Sequence, residues 1–173
     1  MNSSLKRIVS CKCGAVEIEL TGAPIVAAVC HCDDCQRGSA QIEQLPGASK
    51  ILDPWGGTPY VLYRKDRIRV LQGREFLVEQ RLREGTKTRR VVASCCNSPV
   101  LVDFEPGHWA SLYQQLFDAP VPQARMRNQT RFLPPGDRPD DGLPLHRGYP
   151  FGLIARLIAA RVAMGFKRTR ADL

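Results

Sequence analysis

The sequence has no uninterrupted apolar run of about 18 residues, so it encodes no helix long enough to span a bilayer. Its first ten residues lack the apolar stretch of a secretory leader. These absences predict a reducing, cytoplasmic setting, in which clustered cysteines are metal ligands or reactive thiols rather than disulfides. There is no internal repeat and no low-complexity tract. Disorder of the whole chain is excluded by composition: 43% of the residues are hydrophobic and 24% charged, as in an ordinary globular protein. Helical periodicity is missing from the first two-thirds of the chain, and the groove-reading helix of a zinc finger is missing altogether. Ten cations fall between Arg64 and Arg90, but only Tyr60, Tyr63 and Phe76 lie near them. With so few aromatics for base stacking, nucleic acid is disfavoured as a partner, and these cations read as a solvated sheet face.

Short β segments fill the first two-thirds. Residues 14–20 alternate apolar and polar, the pattern of a half-buried strand. The apolar run 24–29 leads directly into a cysteine cluster. Further strands are predicted at 60–63, 68–71, 76–82, 88–93 and 100–104, several of them separated by Gly-bearing turns. A short helix is predicted over 108–116. Residues 117–150 hold seven of the thirteen prolines, which keep this segment out of a sheet interior and lay it over the surface. A helix is predicted from Phe151 to Gly165, with Pro150 before it and Gly165 ending it, packed on the sheet or on a second subunit; its thin polar face makes a membrane interface the weaker alternative. A basic tail, Lys167-Arg168-Thr169-Arg170, follows. Three regions result: a zinc-binding β domain (1–116), a proline-rich surface segment (117–150), and a C-terminal helix with its tail (151–173).

What the chain does have is cysteine. Seven residues fall in three clusters: Cys11-Lys-Cys13-Gly14, Cys30-His31-Cys32-Asp33-Asp34-Cys35, and Cys95-Cys96-Asn97. An odd number fits a disulfide framework badly but divides as four plus three. Short Cys-x-Cys and Cys-x-x-Cys loops bring two sulfurs to one zinc. Gly14 and Asn97 each follow a cluster and can take the positive φ that turns backbone N–H groups toward thiolates. Adjacent residues of an extended strand point to opposite faces, so Cys95 and Cys96 reach one ion only if the backbone turns between them. The formal charge of +8 counts cysteines as neutral. A four-thiolate zinc carries two negative charges and a three-thiolate zinc one, so the loaded protein stays basic but less so.

These motifs resemble the glutathione-dependent formaldehyde-activating enzyme family, which includes centromere protein V. The family pattern is Cys-x-Cys-Gly, then Cys-His-Cys-x-x-Cys-Arg, then a late Cys-x-x-Cys-Gly. The third motif departs here: Ala93 stands at the earlier cysteine position, Cys95 offers a neighbouring sulfur, and Asn97 replaces the glycine. Gln36 stands where the family has arginine. The resemblance implies a mainly-β fold of the β-tent type, with antiparallel sheets pinned by a structural zinc on Cys11, Cys13 and Cys96, and Cys95 as the fourth ligand. It implies a second zinc on Cys30, Cys32 and Cys35, hence two per chain. It also implies carbon–sulfur lyase chemistry on a small thiol adduct such as that of glutathione with formaldehyde. Arg37 is the candidate for holding a substrate carboxylate. His31, between two ligands, reads as support rather than ligand, and Asp33 and Asp34 as turn-capping residues. The alternative is a non-catalytic zinc module binding protein or nucleic acid and keeping mainly the structural metal. A homodimer is left open, with residues 117–173 serving as a lid or as a dimer arm.

Overall fold

The structure, a computed structural model, describes residues 5–136 and 138–166. The basic tail predicted at 167–170 lies outside the described residues. In chain order the strands and helices are β1 (Lys6–Ser10), β2 (Glu17–Thr21), β3 (Val26–Cys30), α1 (Asp33–Glu43), β4 (Thr58–Arg64), β5 (Ile68–Gln72), β6 (Leu77–Gln80), β7 (Thr88–Ala93), β8 (Ser98–Phe104), β9 (Trp109–Tyr113), β10 (Arg127–Asn128) and α2 (Phe151–Ala163).

Two sheets carry the chain. A small one has the order β1-β2-β5, and a seven-stranded one the order β10-β3-β4-β9-β8-β7-β6. All pairs are antiparallel except β10 on β3, which is parallel. This mainly-β arrangement with two helices is β-tent-like.

The large sheet is buried on both faces, and its strands alternate between two cores. On one side Val61, Tyr63, Ala110 and Leu112 meet Val9, Ile18 and Leu20 of the small sheet. On the other, Tyr60, Leu62, Val92 and Tyr113 meet Ile42 of α1, Ile51 and Leu153 of α2. The protein is therefore three-layered: small sheet, large sheet, helices.

Several expectations need correction. Residues 109–113 form a strand rather than a helix, with a single 3₁₀ turn at Gln114–Leu116. Trp109, Leu112, Tyr113 and Leu116 have helical spacing, but pairing to β4 and β8 buries both faces of the segment. An unforeseen helix, α1, starts in the second cysteine cluster. The cations between Arg64 and Arg90 do not form one solvated face. Lys65 is 1% exposed and lies 2.6 Å from Asp103, itself 2% exposed. Arg90 is 3% exposed and reaches under α1 to the Asp34 carbonyl.

The proline-rich segment stays largely irregular. It pairs with the large sheet at the edge, where Arg127 and Asn128 meet Val29 and Cys30, and its first residue, Phe117, is buried against the Tyr63 ring. Within α2 only Leu153 is buried, joined by Met164 just past its end.

Candidate functional site

The first cysteine cluster is built from two turns. After β1, the Gly14 N–H bonds the Cys11 carbonyl at 2.9 Å, with Gly14 at φ +77°. That turn aims the Val16 N–H at Cys11 Sγ, 3.3 Å away. Between β7 and β8 the Cys96 N–H bonds the Ala93 carbonyl at 3.2 Å, and Asn97 takes φ +54°. The backbone does turn at Cys95 and Cys96, so both sulfurs face the same point. The Asn97 amide ties this turn to the Pro46 carbonyl at 3.0 Å.

The sulfurs of Cys11, Cys13, Cys95 and Cys96 all lie within 4.8 Å of one another. Cys11 Sγ is 3.5 Å from Cys13 and 3.7 Å from Cys95, Cys13 Sγ is 3.4 Å from Cys95, and Cys95 Sγ is 3.8 Å from Cys96. A tetrahedron with zinc–sulfur bonds of about 2.3 Å has edges of about 3.8 Å. These separations fit that geometry and are far too long for disulfides. Burial works to raise the Cys96 thiol, but the Ser98 hydroxyl at 3.0 Å and the N–H groups of Cys13 and Ser98 hold it down at about 6. Burial, then the neighbouring Cys13 and Cys11, push Cys95 up. One cysteine is thus prepared as a thiolate, while a second anion beside it needs a cation.

The second cluster sits on the other core. Cys30 ends β3, Cys32 is the residue before α1, and Cys35 lies in its first turn, where the Cys35 and Gln36 N–H groups both bond the Cys32 carbonyl. The three sulfurs lie within 4.8 Å of one another. Hydrogen bonds from Cys30 and Cys35 hold the Cys32 thiol down at about 3, with help from the Cys35 N–H and the charge of Arg90. Cys30 is pushed well up, first by its bond to Cys32. The N-terminus of α1 adds its own positive end. Among the described residues no fourth metal-ligating side chain joins this group.

The residues around the triplet were not legible in the motif. Arg90 fits beneath α1 because residue 38 is glycine: a Cβ there would stand 1.9 Å from Arg90 Nε. Tyr60 is buried beside Cys35, where burial and then that thiol's charge push its phenol well up. Tyr149 is 57% exposed as a whole, but partial desolvation, then the charges of nearby Cys30, Cys32 and Cys35, raise its hydroxyl. His31 is fully buried behind the ligands, and Arg127 Nη1 donates to its Nε2 at 3.0 Å. Asp33 and Asp34 lie in the first helical turn rather than a tight loop, paired with Arg37 and Arg83, each at 3.0 Å. Arg37 is thereby held along the exposed side of α1.

Residues 6–50 match the family model for GFA, the glutathione-dependent formaldehyde-activating enzyme. That span contains the first cysteine pair and the whole triplet; Cys95 and Cys96 lie beyond it. No curated protein matches the chain. A solved structure of a Rhodobacter sphaeroides protein aligns with a TM-score of 0.46 at 19% identity, covering 81% of this chain and 99% of its own. Both early cysteine motifs lie inside the family match, and all seven thiols gather into two clusters that can hold a metal ion, so over residues 6–50 the chain is similar to the glutathione-dependent formaldehyde-activating enzyme family.

Proposed function

We infer that this protein is a two-zinc carbon–sulfur lyase of the cytoplasm, whose triplet Cys30, Cys32 and Cys35 handles a small thiol such as glutathione and its adduct with formaldehyde. Cys11, Cys13, Cys95 and Cys96 hold the structural zinc. The observation that carries this reading is the incomplete donor set of the triplet: three convergent sulfurs, with a tetrahedral ion's fourth position left for a substrate sulfur. None of the seven cysteines is joined in a disulfide, which suits a reducing compartment.

A bound zinc would supply an acceptor for the substrate thiolate and so ease its deprotonation. In the adding direction the thiol sulfur bonds to the carbonyl carbon, the C=O π pair moves to oxygen, and that oxygen takes a proton. In the lyase direction the same bond breaks and the proton returns. Tyr149 suits this proton transfer: it is 57% exposed, lies close enough to feel the charges of the three cysteines, and a phenol carries its proton at neutral pH. Arg90 and the start of α1 offset the negative charge of the thiolates from behind. Arg37 supplies a cation for a substrate carboxylate once it exchanges out of its pair with Asp33.

Zinc content of the purified chain, measured with Cys32→Ser and Cys96→Ser alongside, is the first test, followed by a glutathione–formaldehyde assay. Two zincs in the wild type, with Cys32→Ser losing one ion and all activity but keeping its fold, support the reading. One zinc, lost only with the fold in Cys96→Ser, would assign the chain instead to non-catalytic zinc modules.

A further inference from the structure

Helix α2 has two apolar sides. At about 100° per residue, Leu153, Leu157 and Met164 fall on one side. Leu153 and Met164 are buried there, and His108 Nε2 contacts the Leu157 carbonyl at 2.8 Å to hold the helix in place. Phe151, Ile158 and Val162 fall on the opposite side and are 85%, 59% and 56% exposed. Phe166 extends this apolar surface past the end of the helix, at 65% exposed. Arg156 and Arg161 fall on the two borders between the covered and uncovered sides. An outward stripe of large apolar side chains with a cation at each margin is not what a solvated helix presents.

Charge identifies what covers the stripe. From Gly142 to Ala171 the sequence has no carboxylate, but it has Arg147, Arg156, Arg161, Lys167, Arg168 and Arg170. Beside the helix, Arg156 and Arg125 border a groove of about 550 Å³ floored by Pro24, Ile25 and Pro122. Neither of these two arginines has an ion-pair partner among the described residues.

We propose that α2 docks this protein, lying in the plane of the surface, on a bilayer containing anionic phospholipid. Phe151, Ile158 and Val162 enter the boundary between headgroups and acyl chains, while Arg156 and Arg125 meet headgroup phosphates. Thirteen residues of helix extend only about 20 Å, so the helix lies on a membrane and does not cross it. A second copy is the weaker fit. Two α2 stripes packed about a twofold axis would bring Arg156 and Arg161 against their own copies, with no carboxylate on the helix to pair them. A nucleic acid would meet the arginines but leave the apolar centre of the stripe in water.

Co-sedimentation of the full-length protein with phosphatidylcholine vesicles, with and without phosphatidylglycerol, tests the proposal. The expected result is binding that requires phosphatidylglycerol and falls with added salt. It should be abolished in the double variant Ile158→Asp, Val162→Asp, and reduced about fivefold in Arg156→Gln. These side chains point away from the domain, so circular dichroism and metal content of the variants should match the wild type and exclude misfolding. Failure of the wild type to sediment with either vesicle, or equal sedimentation of wild type and double variant, would overturn the proposal. So would light scattering that finds a dimer which Ile158→Asp converts to monomer, or an oligonucleotide that binds and displaces the vesicles.

Discussion

Arg127 Nη1 sits 3.0 Å from His31 Nε2, joining the proline-rich segment to the loop between two of the triplet's cysteines. The same guanidinium bonds Asp53 at 2.5 Å and Asp141 at 2.7 Å, and stacks 4.7 Å above the Trp55 ring. Next to it, the His31 N–H bonds the Asn128 carbonyl at 3.0 Å. Residues far along the chain thus brace the triplet from behind, and the bracing depends on one buried cation.

Replacing Arg127 with Met leaves Asp53 and Asp141 without their shared partner, and Asp53 is only 12% exposed. Unpairing buried charges costs about 3–5 kcal/mol, the lower end applying here because Asp141 is partly solvated. A loss of about 3 kcal/mol corresponds to a fall in Tm of about 6–12 °C for a chain of this length. Hydrogen exchange should speed at the His31 and Val29 amides, which bond the Asn128 and Met126 carbonyls. Arg127→Lys, which keeps the charge but loses the planar fork, should fall between the two. Thermal melts and exchange rates of the three proteins decide this.

Gly38→Ala sets two effects of opposite sign against each other. In the middle of a helix alanine is favoured over glycine by about 1 kcal/mol. Here the new methyl would overlap Arg90, whose Cζ would lie 2.4 Å from it and whose side chain is buried. Overpacking of this kind costs about 1–3 kcal/mol, so the net change should be destabilising. Arg90 must also give up its bond to the Asp34 carbonyl, which weakens support for the Cys32 thiolate. Denaturant melts and the zinc affinity of the triplet should therefore fall together. A stabilised variant would mean that Arg90 relocates freely.

The buried pair of Lys65 and Asp103 predicts an asymmetry. Asp103 also accepts from Arg89 Nε at 2.8 Å, so Lys65→Met leaves the carboxylate with a partner. Among the described residues Lys65 has no second anion: its other bonds go to the Phe104 and Glu105 carbonyls. Asp103→Asn should therefore cost about 3–5 kcal/mol, and Lys65→Met clearly less. Equilibrium unfolding in urea measures both.

How far the fold was legible depends on where the apolar residues fall. Residues 88–93 read correctly because Thr88, Val91 and Val92 are β-branched and no glycine or proline interrupts them. The expected helix at Phe151 ends as its punctuation predicts, with Gly165 at φ +62°. α1 was hidden because its buried face consists of Gly38, Ser39 and Ile42. The Ser39 hydroxyl lies 3.0 Å from that of Thr58, so the helix packs by small residues and one hydroxyl pair, leaving no apolar period to read. The seven sulfurs were legible from spacing, and so was the positive φ at Gly14 and Asn97. Arg90, Arg127 and Tyr149 were not, because the contacts that tie them to the triplet arise from folding between distant parts of the chain that no local pattern records.

Tyr149 separates proton transfer from metal binding. The side chain is 57% exposed; partial desolvation first, then the charges of Cys30, Cys32 and Cys35, raise its hydroxyl, and a phenol carries its proton at neutral pH in any case. It contributes no ligand to the three sulfurs, which converge without it. Tyr149→Phe should thus leave zinc content and stability close to wild type while lowering turnover of the glutathione–formaldehyde adduct by about a hundredfold, the lower range for loss of a general acid. The loss should appear in kcat rather than KM, because a proton delivered only as the oxygen develops charge stabilises the transition state and not the bound substrate. If zinc falls with activity, Tyr149 supports the metal loop instead; if neither changes, the proton comes from solvent, and the triplet's sulfurs remain the sole reactive part of the site.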